Sequence, residues 1–122
     1  MKPLVIANWK MNLDLSDSLI LSGSIAKTAE NCPNIMISIA PPAIYLYPIR
    51  EQIKARPKNL SFTIQNIHFE KEGAFTGEIS SEMAKKICNY AIIGHSERRQ
   101  YFAEEDELVN KKLNAALKAN MK

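Results

Sequence analysis

Short runs of apolar and β-branched residues recur along the chain, and each run precedes a segment with the periodicity of a helix. The runs begin at positions 4, 35, 60 and 91 and span Leu4–Ala7, Ile35–Ala40, Leu60–Ile64 and Ala91–Ile93. This spacing accommodates one strand, one helix and two loops, so it predicts four consecutive βα units joined into a parallel sheet. Because no low-complexity linker interrupts them, we expect one α/β domain over residues 1–122.

The first and last intervening segments predict helices of unequal regularity. The last, Glu105–Ala119, has apolar residues at helical spacing, Asp106 as a candidate N-cap and lysines towards its C-terminal end. A helix over about Ser16–Glu30 has poor intrinsic propensity because it is rich in serine and contains Gly23. That helix therefore needs tertiary packing to form.

The two middle segments predict shorter or interrupted helices. Pro48 disrupts a helix interior, so we expect a turn or short helix over Pro41–Tyr47 and a longer helix that starts at Pro48. The third helix is predicted to begin with Ser80 or Ser81 as its N-cap and to carry a buried stripe that reaches Ile87.

A four-stranded parallel sheet needs cover for both of its faces. Helices on one side alone leave an apolar face and two edges open, which soluble proteins avoid. Either the sheet is doubly wound, with helices on both faces, or it is half of a closed barrel that other polypeptide completes. The strand pattern alone leaves both arrangements open.

Composition and charge narrow the class of protein. The chain of 122 residues is 46% apolar and 24% charged, and its net charge of +3 is spread among acidic residues, which argues against nucleic acid as a partner. The apolar run at the N-terminus is too short for a signal peptide or a membrane span. The two cysteines, Cys32 and Cys88, are too few for a disulfide framework, and a buried thiol is the expected role of Cys88. Glycine-rich phosphate motifs are absent from the sequence. We expect a cytoplasmic protein with no metal, cofactor or membrane partner.

Polar residues follow the first apolar run directly. If the strand continues, Asn8 and Lys10 share a face with Leu4 and Ile6, and an amide and a cation at the mouth of a parallel sheet can bind an anionic ligand. The alternative is that the strand ends at Ala7 and both residues are ordinary loop surface.

His95 follows the fourth run, with Ser96 as the predicted N-cap of a short helix. The positive end of a helix disfavours the imidazolium, so His95 would stay neutral and could donate a hydrogen bond to a carbonyl. The alternative is a structural histidine held by its own loop. The neighbouring Glu97 and a lysine after another strand favour the functional interpretation.

The segment Ile67–Ile79 is long for a loop and has no clear element pattern. It carries Phe69 and Phe75, and Gly73 and Gly77 flank its centre. Aromatic residues are unusual in disordered segments, so we predict a docking loop. The alternative is a surface excursion without a partner.

Four groups of motifs together resemble the triosephosphate isomerase family. They are Ala7–Asn12, Ala40–Pro42, Gln65–Asn66 with Gly73–Ser80, and Ile92–Arg99. The resemblance runs in order over nearly the whole chain but corresponds to the first half of the family's barrel. It implies a parallel (βα)4 half of a TIM (β/α)8 barrel, completed by another chain.

The resemblance also implies roles for individual residues. Asn8 and Lys10 would contact substrate, and Lys10 would stabilise the negative charge of an enediolate. His95 would polarise the substrate carbonyl, and the family's histidine is the standard example of a neutral imidazole acting as an electrophile. Ser96 and Glu97 would orient the catalytic groups.

An interface is implied as well. Thr76 would enter a neighbouring subunit, with Phe75, Gly77, Glu78 and Arg98 around it, so the chain would form an oligomer through the Ile67–Ile79 loop.

The family's glutamate base, mobile lid and phosphate-binding loops belong to its second half. The resemblance therefore implies an isomerase that interconverts glyceraldehyde 3-phosphate and dihydroxyacetone phosphate only when the C-terminal half-barrel is supplied. We expect Lys122 to lie in the loop after the last helix, before a fifth strand begins.

Two other interpretations stay open. The chain could be a non-catalytic, self-associating half-barrel or a truncated fragment, inactive alone. It could instead be an open-sheet binder of a phosphosugar or nucleotide, which requires helices on both faces of the sheet.

Overall fold

The computed structural model describes residues 2–122, which divide into two compact units between Gln65 and Asn66. The first unit contains β1 (Leu4–Asn8), α1 (Leu15–Glu30), β2 (Met36–Ala40), α2 (Ala43–Gln52) and β3 (Leu60–Ile64). The second unit contains α3 (Ser81–Ala84), β4 (Tyr90–Ala91), α4 (Ser96–Tyr101) and α5 (Asp106–Lys118). The predicted alternation of strands and helices is confirmed.

Three parallel strands in chain order form the sheet of the first unit. Ile6 on β1 pairs with Ser38 on β2, and Ser38 pairs with Ser61 on β3. Because parallel crossovers are right-handed, a sheet that grows in one direction carries both connecting helices on one face. Helices α1 and α2 accordingly contact each other. The doubly wound alternative requires the strand order to reverse and is wrong for residues 4–64.

The core of the first unit lies between this sheet face and the two helices. Ile39 on β2 and Phe62 on β3 are register partners, and both are fully buried, as is Ile49 on α2. Burial of each such side chain stabilises the fold by about 1.5–3 kcal/mol through transfer from water. This packing fixes the strand ends from which the candidate site extends.

The opposite sheet face carries small hydroxyl side chains where β2 and β3 adjoin. Ser38 Oγ and Thr63 Oγ1 lie 2.6 Å apart, and both residues are fully buried. On β1, by contrast, Leu4, Val5 and Ile6 are 43%, 53% and 40% exposed. Within residues 2–65 the strand β1 therefore presents an open apolar edge, as the sequence predicts for an incompletely covered sheet.

Helix α1 forms in spite of its poor propensity. The Asp14 carboxylate caps its N-terminus by accepting a hydrogen bond from the Asp17 N–H at 2.9 Å. Small residues form its buried stripe, which lets the helix approach its neighbours closely; they are Ser18, Ser22, Ala26 and Ala29. Packing through this stripe supplies what the intrinsic propensity of the sequence lacks.

Several of the predicted helix boundaries are wrong, including that of α5, whose N-cap is Glu105 and not the predicted Asp106. Pro48 lies inside the single helix α2 and does not begin a second one. The hydrogen bond that it lacks would reach the carbonyl of Ile44, which lies in an exposed first turn where water can replace it. Helix α3 keeps the predicted Ser80 cap but ends at Ala84, because tighter turns after it bring Cys88 into the interior.

The fourth strand is shorter and earlier than predicted, since β4 spans Tyr90–Ala91 and not Ala91–Ile93. Lys122 follows α5 and lies outside the described helices and strands, as predicted. Its N–H donates to the Asn89 carbonyl at 3.0 Å, and its carbonyl accepts from the Ala91 N–H at 2.9 Å. This alternation of bonds is that of a parallel ladder, so Lys122 lies beside β4.

Cys88 is buried as predicted, and Cys32 is a free thiol. None of the helices described in this range has the length and apolar character needed to cross a bilayer.

Candidate active site

The chain changes direction sharply where β1 ends. Asn8 is the last residue of the strand, and the Trp9 N–H still donates to the Ala40 carbonyl at 3.1 Å. Lys10 then adopts φ +55°, a left-handed conformation that costs an L residue about 1–2 kcal/mol. The predicted alternation of faces therefore holds for Asn8 but not for Lys10, which lies on a turn beyond the strand.

Two side-chain amides hold the main chain of Lys10 in place. Asn8 Oδ1 accepts from the Lys10 N–H at 2.9 Å. Gln65 Nε2 donates to the Lys10 carbonyl at 2.8 Å and to the Ala40 carbonyl at 2.7 Å. Asn8 and Lys10 are thus in contact through the side chain of Asn8 and the backbone of Lys10.

His95 itself caps the helix that follows it. Its Nδ1 accepts a hydrogen bond from the Glu97 N–H at 3.2 Å, so His95, and not the predicted Ser96, is the N-cap of α4. A ring nitrogen that accepts a hydrogen bond carries no hydrogen, so this contact leaves Nε2 as the ring nitrogen that can donate. The carboxylate oxygen Oε2 of Glu97 lies 3.7 Å from Nδ1.

Gly94 gives His95 its approach to the helix. It adopts φ +66°, and a Cβ at this position would come within 2.9 Å of Cγ1 of Val109 on α5. A side chain here would therefore displace the backbone next to His95. Ser96, the first residue of α4, is exposed, and Glu97 is half-buried.

A buried ion network follows α4. Glu104 accepts hydrogen bonds from Arg98 Nε at 2.6 Å and from Lys112 Nζ, and Lys112 also donates to Asn66 Oδ1 at 2.8 Å. The side chains of Glu104 and Lys112 are 1% and 4% exposed. Burial by itself raises the pKa of the Glu104 carboxyl, but the hydrogen bonds from Lys112 and Arg98 outweigh it and hold that pKa below its usual value.

The predicted docking loop has packing of its own. The His68 ring lies between the rings of Phe69 and Phe75, at centroid distances of 4.5 and 4.4 Å, and His68 Nδ1 lies 3.3 Å from Glu78 Oε2. Thr76 and its flanking residues are exposed. The centre of the loop is therefore exposed to solvent, while the rings of His68, Phe69 and Phe75 pack together beside it.

The sequence-predicted site residues fall into two groups. Asn8 and Lys10 belong to the first unit, at the carboxyl end of β1, whereas His95, Ser96 and Glu97 belong to the second, at the start of α4. Interface candidates also divide. Thr76, Phe75, Gly77 and Glu78 lie in the loop, but Arg98 directs its Nε into the ion network and its guanidinium over the ring of Phe102.

Two sets of contacts in this region could not be predicted from the sequence residue by residue, those of Gln65 and those between Lys112 and Glu104. Gln65 enters the sequence-based argument only as part of a motif, and its sole further signal is its position directly after β3. Lys112 and Glu104 carry no signal, since charged residues in an amphipathic helix and its preceding turn are normally solvated.

Strand–helix units in chain order, with a polar cluster where the first strand ends, define an α/β protein of the (β/α)-barrel class. The profile of the triosephosphate isomerase family matches residues 3–122, and the chain belongs to that family. Its fold is therefore half of a TIM barrel, as predicted.

Individual relatives agree with this assignment. The chain is 43% identical over 122 residues to a triosephosphate isomerase from Dehalococcoides mccartyi strain BAV1, covering 99% of this chain and 47% of that protein. It is 43% identical over 121 residues to one from Endomicrobium trichonymphae, covering 98% and 48%. A third, from Carboxydothermus hydrogenoformans, is 40% identical over 116 residues and is matched over 45% of its length. The chain spans about half the length of the curated relatives it matches.

Proposed function

We propose that this chain supplies the N-terminal half of a triosephosphate isomerase active site. In this proposal it interconverts glyceraldehyde 3-phosphate and dihydroxyacetone phosphate once polypeptide equivalent to the C-terminal half is present. Family membership supports the reaction, and the coverage of about half of each relative supports the need for the rest.

The observation that carries the proposal is the hydrogen bond at His95. Because Nδ1 accepts from the Glu97 N–H, the ring has its proton on Nε2 when neutral. An Nε2–H can donate to a substrate carbonyl and stabilise the oxyanion that develops as the adjacent carbon loses a proton. His95 then acts as an electrophile, with Glu97 and Ser96 orienting it from the first turn of α4.

Lys10 has the complementary role in the first unit. Its ammonium group would offset the negative charge of the enediolate and of the substrate phosphate. The two hydrogen bonds to the Lys10 backbone fix the point from which its side chain extends. A side chain with a fixed starting point loses less entropy when it binds substrate. Asn8 would bind substrate through its amide nitrogen while its Oδ1 holds the Lys10 N–H.

The proton transfer itself needs a base that these residues do not provide. In this family the glutamate base and the phosphate-binding loops belong to the second half, so we expect the chain to be inactive alone. We further propose that the Ile67–Ile79 loop, with Thr76 at its tip, mediates oligomerisation and that the assembled enzyme is cytoplasmic. No cofactor is required for this reaction.

Co-expression tests the proposal. This chain would be produced with the C-terminal half of the Dehalococcoides mccartyi relative, and triose phosphate interconversion would be assayed for each half and for the pair. We expect activity from the pair only. Lys10→Met should lower kcat by about 10²–10³-fold, whereas Lys58→Met, on an exposed loop of the same unit, should retain activity. A folded complex of both halves without activity contradicts the proposal.

The open apolar edge of β1 favours self-association as a second candidate function. Sedimentation of the purified chain would separate the two. A homodimer that persists when the complementary half is added favours the non-catalytic module.

A further inference from the structure

Lys10 is one of two non-glycine residues described in the first unit, with Leu13, that occupy a backbone conformation favouring glycine. Such conformations persist only where the surroundings over-determine them. Two restraints on Lys10 are visible, one on its N–H from Asn8 and one on its carbonyl from Gln65. The restraint from Asn8 is local, since the residues are two apart, but Gln65 belongs to a different strand end.

Gln65 uses one nitrogen to connect three segments of chain. It follows β3 directly, and its Nε2 donates to Lys10 beyond β1 and to Ala40 at the end of β2. The amide has two hydrogens, so both are used by these two carbonyls. The Ala40 carbonyl also accepts from the N–H of Trp9, the residue before Lys10. The two carbonyls that Gln65 binds are therefore linked to each other through the backbone of Trp9.

From this geometry we infer that Gln65 is a positioning residue that holds the left-handed main chain of Lys10. Its effect on catalysis rests on the proposed role of the Lys10 ammonium group. Its effect on the backbone does not, because the two hydrogen bonds exist whatever reaction the chain supports. The two consequences can therefore be measured separately.

A simpler role would be to brace the Ala40 carbonyl alone, with Lys10 a bystander. A double-mutant cycle distinguishes the roles, because glycine adopts positive φ without help. If Gln65 restrains Lys10, then Gln65→Met should cost less stability with lysine than with glycine at residue 10, because lysine relaxes from its strained torsion once the restraint is lost and glycine has no strain to recover. If Gln65 only braces Ala40, its replacement should cost the same in both backgrounds.

The experiment compares urea unfolding of the chain with Gln65→Met, Lys10→Gly and the double variant. We expect Gln65→Met to lower the ratio of folded to unfolded chain by about threefold with lysine at residue 10 and by about tenfold with glycine there. Equal effects in both backgrounds overturn the inference. If Gln65→Met does not fold, Gln65→Asn, whose amide falls short of both carbonyls, takes its place.

Gln52 supplies a matched control. Its Nε2 also donates to a backbone carbonyl of the first unit, that of Leu19, at 3.2 Å, but Leu19 lies within α1. Gln52→Met should therefore show no coupling to Lys10→Gly. Coupling as large as that of Gln65 would mean that the cycle reports general loosening and would overturn the inference.

A kinetic readout tests the catalytic consequence in the complemented enzyme. There Gln65→Met should lower kcat with little change in KM, since a displaced Lys10 loses contact with developing charge first. If the unfolding cycle shows coupling but kcat is unchanged, Gln65 positions only the backbone, and its proposed effect on catalysis is overturned. If the pair of halves has no activity at all, the proposed function fails while the unfolding cycle still decides the role of Gln65.

Discussion

At the scale of single residues, the buried carboxylate of Glu104 makes stability depend on pH. Its pKa is held below the usual 4.5 by Lys112 and Arg98 in spite of burial. A carboxyl with a lowered pKa binds fewer protons in the folded state than in the unfolded state, so its contribution is complete above pH 4.5 and is lost as pH falls through the folded value.

We therefore expect Glu104→Gln to lower the free energy of unfolding by about 3–5 kcal/mol at pH 7, because it leaves buried cations unpaired. The deficit should shrink as the pH falls below 4.5. Urea unfolding across this range measures both. Glu107→Gln is the control, since its ion pair with Lys111 on α5 is exposed and should contribute nothing measurable. A deficit that is independent of pH would contradict the assignment.

Ala103 is another non-glycine residue in a strained, left-handed backbone conformation. It adopts φ +52°, which glycine adopts freely. Ala103→Gly should raise the free energy of unfolding by about 0.5–1 kcal/mol, the strain relieved less the chain entropy that glycine adds. The same change at Ala115, in the interior of α5, should lower it by about 1 kcal/mol. Thermal unfolding of both variants checks the contrast, and destabilisation by both would refute it.

At the scale of elements, short apolar runs were sufficient to predict β1, β2 and β3, and apolar periodicity was sufficient to predict α5. It failed where local chemistry sets the boundary. Pro48 is tolerated inside α2, where the residue four positions before it, Ile44, is exposed to water, and the imidazole of His95 caps α4. Neither event changes the hydrophobic pattern, so neither could be predicted from it.

The cap of α1 allows a test at this scale. Asp14→Ala removes the acceptor for the Asp17 N–H and should lower the free energy of unfolding by about 1 kcal/mol. Asp14→Asn keeps an acceptor oxygen and should cost less. Chemical denaturation measures both, and equal losses would show that charge near the helix terminus matters more than the hydrogen bond.

At the scale of the whole molecule, the half-barrel fold was predictable because the motif order is that of one family. The candidate site was predictable in part. Asn8, Lys10 and His95 stand in recognisable motifs, and their roles remain predictions. The Gln65 restraint and the Glu104 network depend on contacts between residues distant in sequence, 55 positions apart for Gln65 and Lys10, which no local pattern encodes.

The exposed edge of β1 gives a prediction for assembly. Val5 is 53% exposed, so Val5→Lys should leave the core of the first unit intact while it weakens any pairing along that edge. Ile39→Lys would instead unfold the unit, since Ile39 is fully buried. Pull-down of the complementary half, with circular dichroism as the check on folding, measures this. Undiminished capture by Val5→Lys would show that partners bind elsewhere.

The left-handed backbone at position 10 also bears on how this sequence can change. Glycine and asparagine suit that torsion but carry no positive charge, while lysine carries the charge and strains the torsion. Stability of the fold therefore favours glycine or asparagine at position 10, whereas a positively charged side chain requires lysine or arginine. A population selected in the laboratory for thermal stability alone should replace Lys10 early, and it would gain stability while losing the positive charge at this position.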